Sequence, residues 1–218
     1  VKGKHSGYRS RFVCCKRDDK GSWRPHLGGV ARRRQGLNIF CGACDGVAIM
    51  KKIILDVKPF QETLHAGMCG PASLKIVLDY YGLIKAEQEL AELTGVTADM
   101  GTDDKNIIRV AESFGFKTVV KNESDFSDIE SWLAKGVPVI VNWFTKGRSD
   151  YPDSVVAEGH YSVAVGLDDE NVYLQDPEIG ALRVFTRRDF MRVWFDFRVE
   201  YIKPEELIVR QLIAIYKP

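Results

Sequence analysis

Residues 61–82, QETLHAGMCGPASLKIVLDYYG, set a cysteine at the mouth of a nearly all-apolar helix. Pro71 supplies a helical φ where no backbone donor is needed, and Gly82 suits the left-handed stop. Ala72, Leu74, Ile76, Val77, Leu78, Tyr80 and Tyr81 leave only a thin polar strip around Lys75 and Asp79, so the helix is expected to be central and buried. At a helix N-terminus, unsatisfied N–H groups and the positive end of the macrodipole favour thiolate over thiol. A neighbouring imidazolium would hold that thiolate as an ion pair. Cys69 therefore has two readings, a nucleophile or a buried structural cysteine.

Charge and cysteine usage both break near Met50. Of 31 Lys+Arg and 30 Asp+Glu, residues 1–49 hold 11 and 3, leaving 20 and 27 for the rest, so the two parts carry +8 and −7. The acidic balance of the larger part excludes a nucleic-acid binder. Cys14, Cys15, Cys41 and Cys44 precede the break, and Cys69 is the sole cysteine after it. A lone thiol fits a reducing compartment, where Cys with a suitable His is a candidate nucleophile. No stretch approaches the roughly 18 apolar residues of a membrane span, and a soluble, cytoplasmic protein is expected.

Residues 1–49 show neither a sustained helical period nor strand alternation, and their Gly/Arg/Lys composition predicts poor order. Cys41-Gly-Ala-Cys44 has zinc-ligand spacing, with Cys14, Cys15, His5 or His26 to complete four ligands, but no second properly spaced pair exists. A basic arm for an acidic partner is a second reading. A third is that Met50-Lys51-Lys52 marks a translation start, with the preceding residues upstream or expression-derived. The expected division is a basic segment at 1–49 and one domain at 50–218.

From Met50 onward, helices come first. A strand is expected at Ile53–Val57, then the Cys69 helix, a helix over Ala86–Leu93 stopped by Gly95, and one capped by Thr102 and closed by Gly115. Phe116–Val120 reads as a strand, and Ser124 or Asp125 opens a helix through Leu133. The pattern then turns to strands: Val137–Trp143, His160–Leu167, Val172–Asp176, Ala181–Phe185, Arg198–Ile202 and Leu207–Tyr216. A long polar loop covers 145–158, and a helix capped by Thr186 follows the fourth strand. Helices first and antiparallel strands second predict an α+β fold, the Cys helix packed on a C-terminal antiparallel sheet.

Three further residues complement Cys69. If the strands around the Asp168–Asn171 turn pair antiparallel, His160 at the start of one lies beside Asp176 at the end of the other. His160 would then take the Cys69 proton and return it to the leaving amine, with Asp176 holding the imidazole. Gln61, eight residues before Cys69, would donate its side-chain amide to the oxyanion together with the Cys69 N–H.

Gln61…Cys69-Gly-Pro-Ala-Ser-Leu, Gly159-His-Tyr-Ser-Val-Ala-Val and Val172-Tyr-Leu-Gln-Asp-Pro-Glu-Ile-Gly180 resemble the papain-like peptidases that process bacteriocin precursors after a double-glycine leader, and their stand-alone relatives. The resemblance covers roughly Ile53 to Trp194. It implies a papain-like fold, a Cys69–His160–Asp176 triad, Gln61 as oxyanion donor, a peptide or protein substrate, and no metal or organic cofactor. Leader-cleaving members are joined to membrane-spanning and ATP-binding domains, and no Walker motif occurs in these 218 residues. Two alternatives stay open: acyl transfer to an amine, as in relatives resembling phytochelatin synthase, and a peptide-binding module with a vestigial triad. The oligomeric state is not legible.

Overall fold

The computed structural model describes residues 15–17, 23–25, 52–64, 67–97, 101–145, 159–197 and 204–218. The chain separates into two compact units, Val1–Ala48 and Ile49–Pro218. In the first, strands β1 (Cys15–Arg17) and β2 (Trp23–Pro25) pair antiparallel, with Lys16 opposite Arg24. The second carries all the helices and the main sheet among the described residues.

This unit opens on β3 (Ile53–Ile54), shorter than the expected strand because the Val57 N–H turns back to Leu55 O at 2.9 Å and takes the chain off the ladder before Pro59. Helix α1 (Cys69–Tyr80) is buried from Cys69 to Leu78, as its apolar sequence requires. Helix α2 (Glu87–Thr94) ends at Gly95 in the left-handed conformation. Helix α3 (Asp104–Ser113) is capped by Asp103, which accepts from the Lys105 N–H, and not by the expected Thr102. Thr102 is turned inward onto α1, where a Cβ on Gly70 would lie 2.6 Å from Thr102 Cβ.

Strand β4 (Lys117–Lys121) leads to α4 (Phe126–Leu133), whose Asp125 and Asp128 form a capping box. Then come β5 (Val139–Phe144), β6 (Gly159–Leu167), β7 (Asn171–Asp176), β8 (Ala181–Thr186) and α5 (Arg187–Val193), the last capped by Thr186 as its sequence predicts. Short strands β9 (Phe195–Phe197) and β10 (Leu207–Val209) pair with each other. The expected strand at Arg198–Ile202 lies outside the described residues. The single run expected at Leu207–Tyr216 is broken by Arg210 at φ 48°, so that its second half, β11 (Leu212–Tyr216), enters the main sheet.

That sheet is antiparallel throughout, in the order β4-β11-β5-β6-β7-β8, with β3 on β6. Strand alternation divides its side chains between two cores. Val163, Val165, Ile213 and Ile215 pack with residues of α1, α2 and α3, including Leu74, Ile76 and Leu90. Ala164, Leu212 and Ala214 pack with residues of α4 and α5, including Ile129, Leu133 and Phe190. The expected α+β layout holds, with one addition: α4 and α5 cover the sheet face opposite the Cys helix.

One irregularity positions the site. Between β6 and β7, Leu167 pairs with Val172 and Gly166 with Tyr173, but Ala164 pairs with Leu174 and Val163 with Gln175, leaving Val165 as an extra residue on β6. A bulge of this kind exchanges the faces of every side chain beyond it.

Candidate active site

Cys69 is the first residue of α1. The helix N-cap, Met68, makes no side-chain capping bond, so the first-turn N–H groups have no side-chain cap. Cys69 is a buried free thiol packed in the same core as Tyr161 and Val163 of β6. His160 bonds through Nε2 to Asp176 Oδ1 at 2.8 Å and is electrostatically coupled to Cys69, which leaves Nδ1 as the ring nitrogen for the sulfur. Trp143, paired with His160 in the β5–β6 register, meets the imidazole edge to face at 4.9 Å and 84°. Its indole N–H donates to Ser162 Oγ at 3.0 Å, which fixes the ring that backs the histidine.

Asp176 is fully buried at its side chain and serves several donors. Oδ1 accepts from His160 and from the Glu178 N–H (3.0 Å), while Oδ2 accepts from Arg183 Nε (2.5 Å). Burial alone would raise this carboxyl; the bonds and charges of His160 and Arg183 outweigh it and hold Asp176 below the usual carboxylate range. For His160, burial pulls the imidazole down. The hydrogen bonds and charges of Asp176 and Cys69 overcome it and push His160 up to about 10.

Gln61 joins these residues by a different route. Its side-chain amide donates to Glu178 O at 3.2 Å, and the neighbouring Glu62 N–H donates to Pro177 O at 2.9 Å. Both bonds tie the segment before Cys69 to the Asp176–Gly180 turn. A Cβ on Gly180, which sits at φ 59°, would lie 2.5 Å from Gln61 Cβ, so a glycine is required at this contact. The structure thus bonds His160 to Asp176, couples His160 to Cys69, and seats Gln61 against the turn that follows Asp176.

Three neighbours were not singled out in the sequence. Arg183 and Trp143 are described above. Glu62, half-buried, is raised to about 7 by burial and by the charges of Glu178, Asp176 and Glu87, against the opposing pull of His160. The one local signal is an arginine within the short apolar strand Ala181-Leu-Arg-Val-Phe185. His160, Asp176 and Glu178 present ligand atoms within 4.8 Å of one another, a set that could hold a metal ion. Arg183 bonds Asp176 Oδ2 and lies 3.5 Å from Glu178 Oε2, so its guanidinium supplies positive charge at that place. The Cys41–Cys44 pair, Cys14, His5 and His26 lie outside the described residues, and Cys15 is described only by its backbone place in β1. No helix among the described residues is long and apolar enough to cross a membrane.

A cysteine-headed helix packed on one face of an antiparallel sheet, with His160 and Asp176 on neighbouring strands, defines the papain-like fold of C39 peptidase domains. The chain belongs to the Peptidase_C39 like family, whose pattern matches residues 54–200. An uncharacterized protein of Methanothermobacter marburgensis is 32% identical over 141 residues, 63% of this chain and 83% of that one. Among solved structures, the peptidase domain of Streptococcus ComA, a bi-functional ABC transporter involved in a quorum-sensing pathway, superposes with a TM-score of 0.57. The identity is 20%, over 74% of this chain and 99% of that domain. A double glycine motif protease from an AMS/PCAT transporter, solved in complex with the leader peptide, superposes with a TM-score of 0.53. There the identity is 17%, over 78% of this chain and all of the other.

Proposed function

We propose that the chain is a cysteine peptidase that cleaves peptide amides through a thioester acyl-enzyme. The observation that carries this reading is the buried His160–Asp176 pair at 2.8 Å coupled to Cys69, with the sulfur at the open end of α1. In the reaction, the Cys69 thiolate attacks the scissile carbonyl and His160 passes its proton to the leaving amine. Water, deprotonated by the same imidazole, then hydrolyses the thioester and regenerates the thiol. Asp176 keeps the ring oriented and stabilises the imidazolium. The Cys69 backbone N–H donates to the oxyanion, and Gln61 joins it by releasing Glu178 O when substrate binds.

We assign this activity to the residues from Met50 onward and infer cleavage after Gly-Gly, in keeping with the double-glycine protease of the same fold. The test is hydrolysis of a fluorogenic Gly-Gly peptide amide, with intact-mass detection of an acyl adduct on Cys69. Cleavage that is lost in Cys69→Ala and kept by a chain starting at Met50 supports the reading. Cleavage that survives Cys69→Ala, or neither turnover nor adduct across a panel of peptide amides, overturns it.

A further inference from the structure

Asp176 can orient His160 only if its own carboxylate is held still. Two oxygens on a rotatable carbon present the same acceptor to several donors unless something fixes the plane. In this site the second oxygen is anchored by Arg183. The sheet register delivers it: Arg183 on β8 sits opposite Leu174 on β7, two residues before Asp176 and therefore on the same face. Alternation along β8 turns Arg183 and Phe185 inward while Leu182 and Val184 are exposed, so a cation occupies a position where the strand pattern calls for an apolar side chain. Its side chain is only 11% exposed.

The arginine is itself constrained. Its guanidinium carbon lies 6.0 Å from the centroid of the Trp143 ring, and Trp143 in turn backs His160. Nη2 lies 3.5 Å from Glu178 Oε2, and the Glu178 N–H bonds Asp176 Oδ1. Arg183, Asp176, His160 and Trp143 thus close a ring of contacts in which both halves of the imidazole–carboxylate pair are braced. A carboxylate oxygen with this burial would be costly without a charged donor, and Arg supplies charge with a directed N–H where Lys supplies a point charge alone.

We propose that Arg183 is a positioning residue of the reaction, fixing the Asp176 carboxylate through Oδ2 so that Oδ1 stays directed at His160. This rests on the cysteine-peptidase reading. Arg183 touches neither substrate nor sulfur in this role; it acts through Asp176.

The experiment compares Arg183→Met and Arg183→Lys with the native full chain. It reads kcat against pH on the Gly-Gly peptide amide, the pH profile of Cys69 alkylation by iodoacetamide followed on the Cys69-containing peptide by mass spectrometry, and thermal stability. In Arg183→Met, kcat falls by roughly 10²-fold, the scale of a misplaced catalytic group. The acid limb of both pH profiles moves to higher pH, because Asp176 has lost one of the two cations, His160 and Arg183, that hold it below the usual range. Arg183→Lys keeps the acid limb of the native protein and recovers only part of kcat. A folded Arg183→Met with native kcat and a native acid limb overturns the proposal, as does a lower melting temperature with both unchanged, which would make Arg183 a packing residue. If Arg183→Met does not fold, native kcat in Arg183→Lys overturns it. A native chain that cleaves nothing counts against the peptidase reading alone, since the alkylation profile still reports whether Arg183 governs the Cys69–His160 pair.

Discussion

His160 and Asp176 meet at 2.8 Å across a hairpin with an extra residue on one strand, and that residue puts them on the same face. Beyond the Val165 bulge, Val163 faces Gln175; continuing the register sets Ser162 opposite Asp176, one same-face step from His160. Without the bulge, Val163 would stand opposite Asp176 and the carboxylate would point to the other side of the sheet.

If Asp176 acts by orienting His160, Asp176→Asn leaves the fold intact and lowers kcat, by up to roughly 10⁴-fold if it behaves as the acid of a Ser-His-Asp triad does. Steady-state kinetics with a circular dichroism control measure it. An unchanged kcat on a cleaved substrate removes Asp176 from the mechanism.

The coupling between His160 and Cys69 predicts a reactivity signature that needs no substrate. His160→Ala removes the base coupled to the sulfur and slows Cys69 alkylation at neutral pH. Gln61→Ala slows turnover and leaves alkylation nearly unchanged, since an oxyanion donor acts on the transition state. Identical alkylation profiles in native and His160→Ala chains would mean that the imidazole has no hold on the sulfur.

Stability carries two opposite pH signatures around the site. His160 is raised from 6.5 to about 10, so the folded state binds more protons than the unfolded one in that window. Its contribution is complete below 6.5 and is lost as pH rises toward 10. Asp176 is lowered, so its contribution is present above 3.8 and is lost as pH falls below that value. Glu62, raised from 4.5 to about 7, contributes below 4.5 and loses that contribution as pH rises through 7. Glu62→Gln should therefore flatten the decline between pH 4.5 and 7 and leave the chain no less stable at pH 8. Melting temperatures across pH 2–10 read all three effects, and a native-like slope between pH 4.5 and 7 in Glu62→Gln would exclude this carboxyl as its source.

Gly70 follows Cys69 on α1 and faces Thr102, whose Cβ would lie 2.6 Å from an added Cβ. Gly70→Ala should destabilise by about 1–3 kcal/mol despite its better helix propensity, because packing at that contact has no room to give. Denaturant unfolding measures it, and a stabilised variant would show that Thr102 moves freely.

Local signals in the sequence determined most of the elements and the candidate residues. The cysteine ahead of Gly-Pro and an apolar run placed α1; Gly95, Asp125 and Thr186 marked their helix ends because capping and left-handed stops depend on the residue itself and its immediate neighbours. The alternation around Asp168–Asn171 foretold a hairpin with His160 at one end and Asp176 at the other. What only the tertiary structure decided depends on residues far apart in the chain. The Val165 bulge is set by pairing with β7 and β3, so nothing local to Val165 announces it. Arg183 reaches Asp176 through the register of β7 with β8, and Gln61 gives its amide to a turn 117 residues away. The Leu207–Tyr216 run has the periodicity of one strand, yet Arg210 breaks it because its N–H and guanidinium are claimed by Trp194 O and Ser124 O. Periodicity states which side chains seek burial; register and backbone partners, fixed only when distant strands meet, decide which of them come together.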